Sequence, residues 1–267
     1  MGARRFVEVT GGSVEVEVGV GDPGLPTLVF LHEGLGSIEL WRTFPRDVVA
    51  VAGGPPNVVF SRHGHGRSDP ADLPRPVDYM HREASIVLPE LLDELGVERP
   101  LLVGHSDGAS IALLYAGDGH DVAGLVCIAP HVFVEDESIA GIESARVQFE
   151  TTDTATRMAR YHTDPEATFR GWNDVWLSPA FRSWNIEATL PAITAPLLVV
   201  QGTADQYGTL AQVESIRAGV SGSCRTVVVE GVGHAPHLEA SETVVRDVAE
   251  FVAGVAAERP ARPNSSP

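Results

Sequence analysis

Short runs of apolar residues recur along the chain, and they are of two kinds. In Val14-Glu15-Val16-Glu17-Val18, apolar and acidic side chains alternate, the period of a strand with one face on a core and the other on solvent. Phe6 to Val9 lies just before it, across Gly11-Gly12, so the pair predicts a half-exposed antiparallel hairpin. The remaining runs are continuously apolar: Thr27 to Leu31, Val58 to Ser61, Leu101 to Gly104, Gly124 to Ala129, Leu197 to Gln201 and Thr226 to Glu230. Unbroken runs of this kind predict strands covered on both faces.

Helical patterns separate the buried runs. Glu83 to Leu95 sets Ile86, Val87, Leu91, Leu92 and Leu95 on one face, and Ser110 to Ala116, Ala211 to Ala218 and Glu242 to Val252 continue the alternation. The fold class expected is therefore α/β, an eight-stranded, mostly parallel, doubly wound sheet with helices on both faces. Chemistry in such a sheet gathers beyond the carboxyl ends of the strands. From Val132 to about Leu190 the alternation stops, for 59 residues, too long for a simple connection. This predicts a helical insertion at 132–190 between the sixth and seventh strands, with 1–131 and 191–257 as the core. Eight of the 17 aromatic residues fall in the insertion. They include Trp172, Trp176 and Trp184, as an apolar core of its own or as the wall of a pocket over the sheet edge. Residues 258–267, rich in Pro and Ser, read as a disordered tail.

Composition narrows the partners. With 36 acidic against 19 basic residues the net charge is −17, which repels nucleic-acid phosphates and anionic lipid. No apolar run reaches the roughly 18 to 20 residues a membrane span needs, and the N-terminus lacks a signal-peptide pattern. The expectation is a cytoplasmic monomer or homodimer acting on a small molecule. Cys127 lies in an apolar run and Cys224 in a polar turn, too few for a disulfide framework. His63-x-His65 with Asp69 has the look of a metal run, but Arg67 stands where a carboxylate ligand is wanted, so no metal is expected.

Gly104-His105-Ser106-Asp107-Gly108 breaks the fifth run where a strand should pass into a helix. Ser106 is either a helix cap or the nucleophile of a G-x-S-x-G elbow. Candidate partners follow the later strands: Asp205 four residues beyond the seventh, and His234 in Gly231-Val232-Gly233-His234 after the eighth. His237 is the competing base, and Glu135 and Asp136, after the sixth strand, are the competing acids.

Over residues 5 to 256 the sequence resembles the α/β-hydrolase superfamily, on four motifs in order. Leu31-His32-Glu33-Gly34-Leu35-Gly36-Ser37 is like its His-Gly oxyanion loop, and Ser61-Arg62-His63-Gly64-His65-Gly66-Arg67-Ser68-Asp69 is similar to its R-G-x-G-x-S turn. The elbow, and Gly233-His234 with Pro236 and Glu239, complete the set. The resemblance implies a Ser106, Asp205, His234 triad in the superfamily's chain order, with no cofactor. Ser106 would attack a carbonyl while His234 takes its proton, and Asp205 would hold the imidazole. The N–H groups of Asp107 and Gly34 would form the oxyanion hole. Glu33 departs from the pattern, which has glycine there; it is either loop scaffolding or, with Trp172 and Trp176, a substrate-binding residue. The activity expected is cleavage of a small or medium carboxylic ester, lactone or thioester through an acyl-serine. The alternatives are a C–C bond hydrolase for a ring-fission diketone and a non-catalytic small-ligand receptor. The former needs a pocket arginine, for which Arg146, Arg157, Arg160, Arg170 and Arg182 are the supply. A dehalogenase would need a carboxylate at the apex, which Ser106 occupies.

Overall fold

The computed structural model describes Gly2 and residues 4–257, so the tail at 258–267 lies outside the described residues. Each of the eight predicted runs is a strand: β1 (Arg4–Val9), β2 (Gly12–Gly19), β3 (Leu28–Leu31), β4 (Asn57–Ser61), β5 (Leu101–His105), β6 (Gly124–Ile128), β7 (Leu197–Gly202) and β8 (Cys224–Val229). They form one sheet in the order β1-β2-β4-β3-β5-β6-β7-β8. β2 is antiparallel to both β1 and β4, and every other pair is parallel. β3, β5, β6 and β7 are buried at every residue, which is what their unbroken apolar runs require.

Successive side chains of these strands enter opposite layers. Val29, Leu31, Leu102, Leu125 and Cys127 face the helices Leu88–Leu95 and Asp107–Gly117, while Phe30, Val103, Val126 and Ile128 face the helices Phe44–Val51 and Ser241–Ala257. The helix Phe44–Val51 was not expected. Its start signal, Pro45 in the first turn, lies in a segment of eight residues with only Phe44, Pro45 and Val48 buried.

Three further expectations are corrected. The hairpin is not half-exposed on β2: Glu15 and Glu17 are buried, because Arg4 reaches across from β1 to pair with both. Ile86 turns to solvent, since the helix preceding β5 passes through a π-helical segment at Glu83–Val87 that shifts the face. Cys224 is the first residue of β8 rather than part of a turn, and it and Cys127 are both free thiols.

Between β6 and β7 the chain forms the helices Asp136–Thr151, Thr154–Met158 and Pro165–Trp176, then short 3₁₀ turns at Phe181–Ser183 and Glu187–Ala192. The aromatic residues stack within it: Phe149 on Phe169 at 3.9 Å and Phe181 on Trp184 at 5.4 Å between ring centres. They do not close a separate core, because Trp172, Trp176 and Phe181 join the apolar layer that covers the sheet. Among the described residues no helix is long and apolar enough to cross a membrane.

Candidate active site

Ser106 follows directly on β5 and precedes the helix Asp107–Gly117. Its backbone lies at φ 52°, ψ −118°, outside the regions open to a side-chain-bearing residue at low energy, a strain of about 1–3 kcal/mol. The two flanking glycines make the turn sterically possible. A Cβ at Gly108 would come within 2.0 Å of the Leu31 carbonyl oxygen, and one at Gly104 within 2.4 Å of the Gly108 oxygen. Although Ser106 occupies the cap position, its hydroxyl makes no capping bond. The turn therefore presents the hydroxyl instead of spending it on the helix.

Asp205 and His234 meet beyond the ends of β7 and β8. His234 Nδ1 lies 2.8 and 2.9 Å from the two Asp205 oxygens, and because a carboxylate accepts, Nδ1 carries the hydrogen and Nε2 is left as the base. Asp205 also accepts from the Gln201 amide and the Tyr207 N–H, both at 2.8 Å. Burial alone would raise its pKa. The bond and charge of His234, then the Tyr207 N–H, outweigh burial and hold the carboxyl below its ordinary range. Ser106 and His234 line one cavity of about 160 Å³, together with Glu33, Gly34, Leu35, His131, Ser138, Ile142, Trp172, Trp176 and Tyr207. Among the described residues no hydrogen bond joins Ser106 to His234; such bonds are often loose without substrate and tighten on binding.

Facing Ser106 is the loop after β3, held by three histidines whose N–H groups bond three consecutive carbonyls. His32 Nδ1 donates to the Glu33 oxygen at 2.7 Å, His65 Nε2 to the Gly34 oxygen at 3.0 Å, and His162 Nε2 to the Leu35 oxygen at 3.0 Å. The other nitrogens of His32 and His162 accept, from the N–H groups of Arg62 and Gly66, while His65 Nδ1 lies 2.9 Å from the His63 carbonyl oxygen and 3.4 Å from the Arg75 guanidinium. At His32 and His162, one donor and one acceptor per ring is the neutral imidazole. Burial, first among the causes, moves all three pKa values down, with the Arg62 cation adding to the shift at His32 and at His65. Arg62 donates to the Glu33 oxygen as well, at 2.9 Å. In a trans peptide C=O and N–H point opposite ways, so pinning the Glu33 carbonyl on one side turns the Gly34 N–H to the other. The Asp107 N–H, at the first position of its helix, has no intrahelical acceptor and carries the positive end of the helix dipole.

A model of the alpha/beta hydrolase family matches residues 28–248, most of the chain. The chain belongs to that family. The hydrolase is 26% identical to an epoxide hydrolase A of Mycobacterium tuberculosis, over 96% of this chain and 99% of the other. It is 24% identical to a putative carbamate hydrolase of Pseudomonas savastanoi pv. phaseolicola, over 84% and 93%. Among solved structures, the enol-lactonase of Burkholderia xenovorans LB400 is similar in fold, with a TM-score of 0.73 at 18% identity over 93% and 99% of the two chains.

The competing residues of the hydrolase are engaged elsewhere. Glu135 caps the helix Asp136–Thr151 and accepts from the Thr209 N–H and hydroxyl and from the Gln212 amide. Asp136 is exposed and pairs with Arg182. His237 is buried against Trp41, Phe44 and His105 and makes no bond with Asp205. Asp69 accepts from the Ser13 N–H at 2.8 Å and ties the hairpin to the turn after β4. Asp107 turns its carboxylate away from the cavity, to the Tyr79 hydroxyl at 2.6 Å and towards Arg62 at 3.7 Å.

Glu33 Oε2 lies 3.5 Å from Nδ1 of His105, the residue before the elbow serine, while His105 Nε2 donates to the His234 carbonyl oxygen at 2.7 Å. Burial opposes ionisation of Glu33, but His105 outweighs it and holds the carboxyl far below its ordinary range. The unexpected acid thus ties its loop to the elbow and, through His105, to the turn bearing His234. Sequence reasoning passed over His105 and His131, both of which sit beside predicted strand ends; position in the motif was the only available sign.

Proposed function

We propose that the enzyme is a serine hydrolase that cleaves a small, neutral carboxylic ester, lactone or thioester through an acyl-Ser106 intermediate. The observation that carries this reading is the unspent Ser106 hydroxyl, strained outward into the same cavity as a histidine whose Nδ1 is tied to a buried aspartate. Ser106 Oγ attacks the scissile carbonyl carbon as His234 Nε2 takes the hydroxyl proton, and Asp205 stabilises the imidazolium. The carbonyl electrons move onto oxygen, where the N–H groups of Asp107 and Gly34 receive the negative charge. Collapse expels the alcohol or thiol, protonated by His234. Water then repeats the sequence on the acyl-serine, releasing acid and restoring the hydroxyl.

Size and charge support the substrate class. A cavity of about 160 Å³ is comparable with the roughly 150 Å³ apolar cavity that takes a benzene ring. Its lining holds the Glu33 carboxylate and neither arginine nor lysine. Of the insertion's arginines, Arg157, Arg170 and Arg182 are committed to Asp153, to Glu150 and Glu166, and to Asp136. This speaks against a dienol carboxylate substrate and hence against the C–C bond alternative. A carboxylate nucleophile, as a halide-displacing enzyme would need, is not favoured either, since Asp107 is bound to Tyr79 and Arg62. Residues 132–190 act, on this reading, as the cap that completes the pocket with Trp172 and Trp176. The test is labelling with a fluorophosphonate and hydrolysis of p-nitrophenyl esters of graded length. Wild-type protein is expected to label and to turn over the short esters, and Ser106→Ala to do neither while keeping its far-ultraviolet circular dichroism. A labelled Ser106→Ala protein overturns the reading.

A further inference from the structure

His131 follows β6 and is 2% exposed, with its ring edge-on to Trp176 at 5.2 Å and 5.7 Å from the ring of His234. Its main chain is fixed, since the Ser110 hydroxyl donates to its carbonyl oxygen at 2.6 Å. Among the described residues lining the cavity, it alone has a fully enclosed polar side-chain atom without a partner, Nδ1. Of the neighbouring lining groups, Ser138 donates to the Tyr207 carbonyl at 2.6 Å, Trp176 Nε1 donates to the Tyr79 hydroxyl at 3.0 Å and Glu33 faces His105, which leaves the Trp172 indole N–H, among the described residues, as the other lining donor without a protein partner.

The edge of the ring carrying Nδ1 and Cε1 faces Gly208, where an added Cβ would lie 3.2 Å from Cε1 and 3.4 Å from Nδ1. By elimination Nε2 is the nitrogen with access to the cavity. A hydrogen on Nδ1 would bury a donor with no acceptor, an arrangement rarer than an unsatisfied acceptor. A hydrogen on Nε2 gives the donor to the cavity. Burial, followed by the nearby His234, pulls the His131 pKa down to about 3, so the ring is neutral at physiological pH.

We infer that His131 is a specificity residue, donating from Nε2 to a neutral oxygen of the substrate other than the scissile carbonyl, a hydroxyl, keto or ether oxygen on the acyl group. This rests on the serine-hydrolase reading above. An anionic acceptor is disfavoured because the Glu33 carboxylate shares the cavity and its lining holds neither arginine nor lysine. The substrate class is thereby narrowed to oxygenated short-chain acyl esters or their lactone and thioester equivalents.

The experiment compares p-nitrophenyl pentanoate with the 2-hydroxypentanoate, 3-hydroxypentanoate and 4-oxopentanoate esters, for wild-type protein, His131→Phe and His131→Gln. Intrinsic reactivity cancels when the ratio of kcat/KM for each oxygenated ester to that for pentanoate is compared between proteins. For at least one oxygenated ester the ratio is expected to fall about tenfold or more in His131→Phe, as one neutral hydrogen bond is worth. His131→Gln, which keeps an N–H donor, should recover part of it. Fluorophosphonate labelling at the wild-type rate shows that each variant retains its triad. Equal loss on all four esters, or no change in any ratio, overturns the inference and leaves the serine-hydrolase reading standing. Absence of turnover and of labelling in the wild-type protein overturns both.

Discussion

Two groups of histidines flank Ser106, and they are used in opposite ways. His32, His65 and His162 lie under the oxyanion loop, and both nitrogens of each ring are bonded. His105, His131 and His237 surround His234, with ring centres 5.1 Å apart for His105 and His234 and 5.7 Å for His131 and His234; Nδ1 of His131 and of His237 has no partner, and Nδ1 of His105 faces only the Glu33 carboxylate at 3.5 Å. A ring whose bonds are all made can hold a loop but cannot meet a substrate. A ring with a bond still to make costs stability in the free protein and can recover it when a ligand arrives. The same side chain therefore serves as scaffold or as reagent according to how much of its hydrogen-bonding capacity the fold has consumed.

The largest expected effect is on the reactive side. Asp205→Asn offers the His234 ring an amide in place of a carboxylate and should lower kcat by about 10⁴-fold in steady-state hydrolysis of the best p-nitrophenyl ester. Glu135→Gln should leave kcat within a few-fold; a loss like that of Asp205→Asn would move the acid to the end of β6. The bonded group is tested next. His65→Ala frees the Gly34 carbonyl and loosens the peptide beside the oxyanion hole, and kcat should fall about 100-fold with little change in KM, the signature of a lost transition-state donor. His65→Gln, which restores an N–H, should recover most of it. A KM effect instead would place the loop in substrate binding.

Acid acts on both groups, because burial also lowers the pKa values of His131 and His237, but it gives a direct test of the bonded rings. His32, His65 and His162 have folded pKa values below the unfolded value of about 6.5, so below that pH the unfolded chain binds protons that the native rings refuse. Stability is full above about pH 6.5 and is lost as pH falls below it, by up to about 1.4 kcal/mol per pH unit for each ring. Thermal melts from pH 8 to pH 5 should show this, with a shallower slope in His65→Gln; an unchanged slope would show that His65 is not among the rings responsible. The smallest effect is expected at Glu33. Its pairing with His105 is a scaffold contact that glutamine can largely copy, so Glu33→Gln should change kcat/KM by less than about tenfold. A loss above a hundredfold on one substrate alone would make it a substrate contact.

That Ser106, Asp205 and His234 come together was largely legible in the sequence, because each stands just beyond an apolar run and chain order did the rest. The strands were legible for the same reason, each being a short run bounded by turn residues. The bonded group was not. His162 reaches Leu35 from 127 residues away, and its partner is a backbone carbonyl, which leaves no complementary residue type in the sequence to suggest the pairing. Glu33 was visible as a departure from a motif, but its purpose depends on His105, whose ring is aimed by a turn no local pattern describes. The helix Phe44–Val51 was too short, and the face of Glu83–Leu95 was shifted by a π-helical segment that periodicity cannot anticipate.

Trp176 donates to Tyr79, Tyr79 donates to Asp107, and Asp107 is the residue after Ser106. A hinge opens along a seam of weak contacts, and this line of contact between insertion and core is instead a run of buried hydrogen bonds through rings that share the sheet's own apolar layer. Swinging the insertion aside would pull on the residue next to Ser106 and wet Trp176 and Phe181, both almost fully enclosed. Exchange of the Trp176 indole hydrogen with solvent is therefore expected to follow the free energy of global unfolding, and faster exchange would show that the insertion opens by itself.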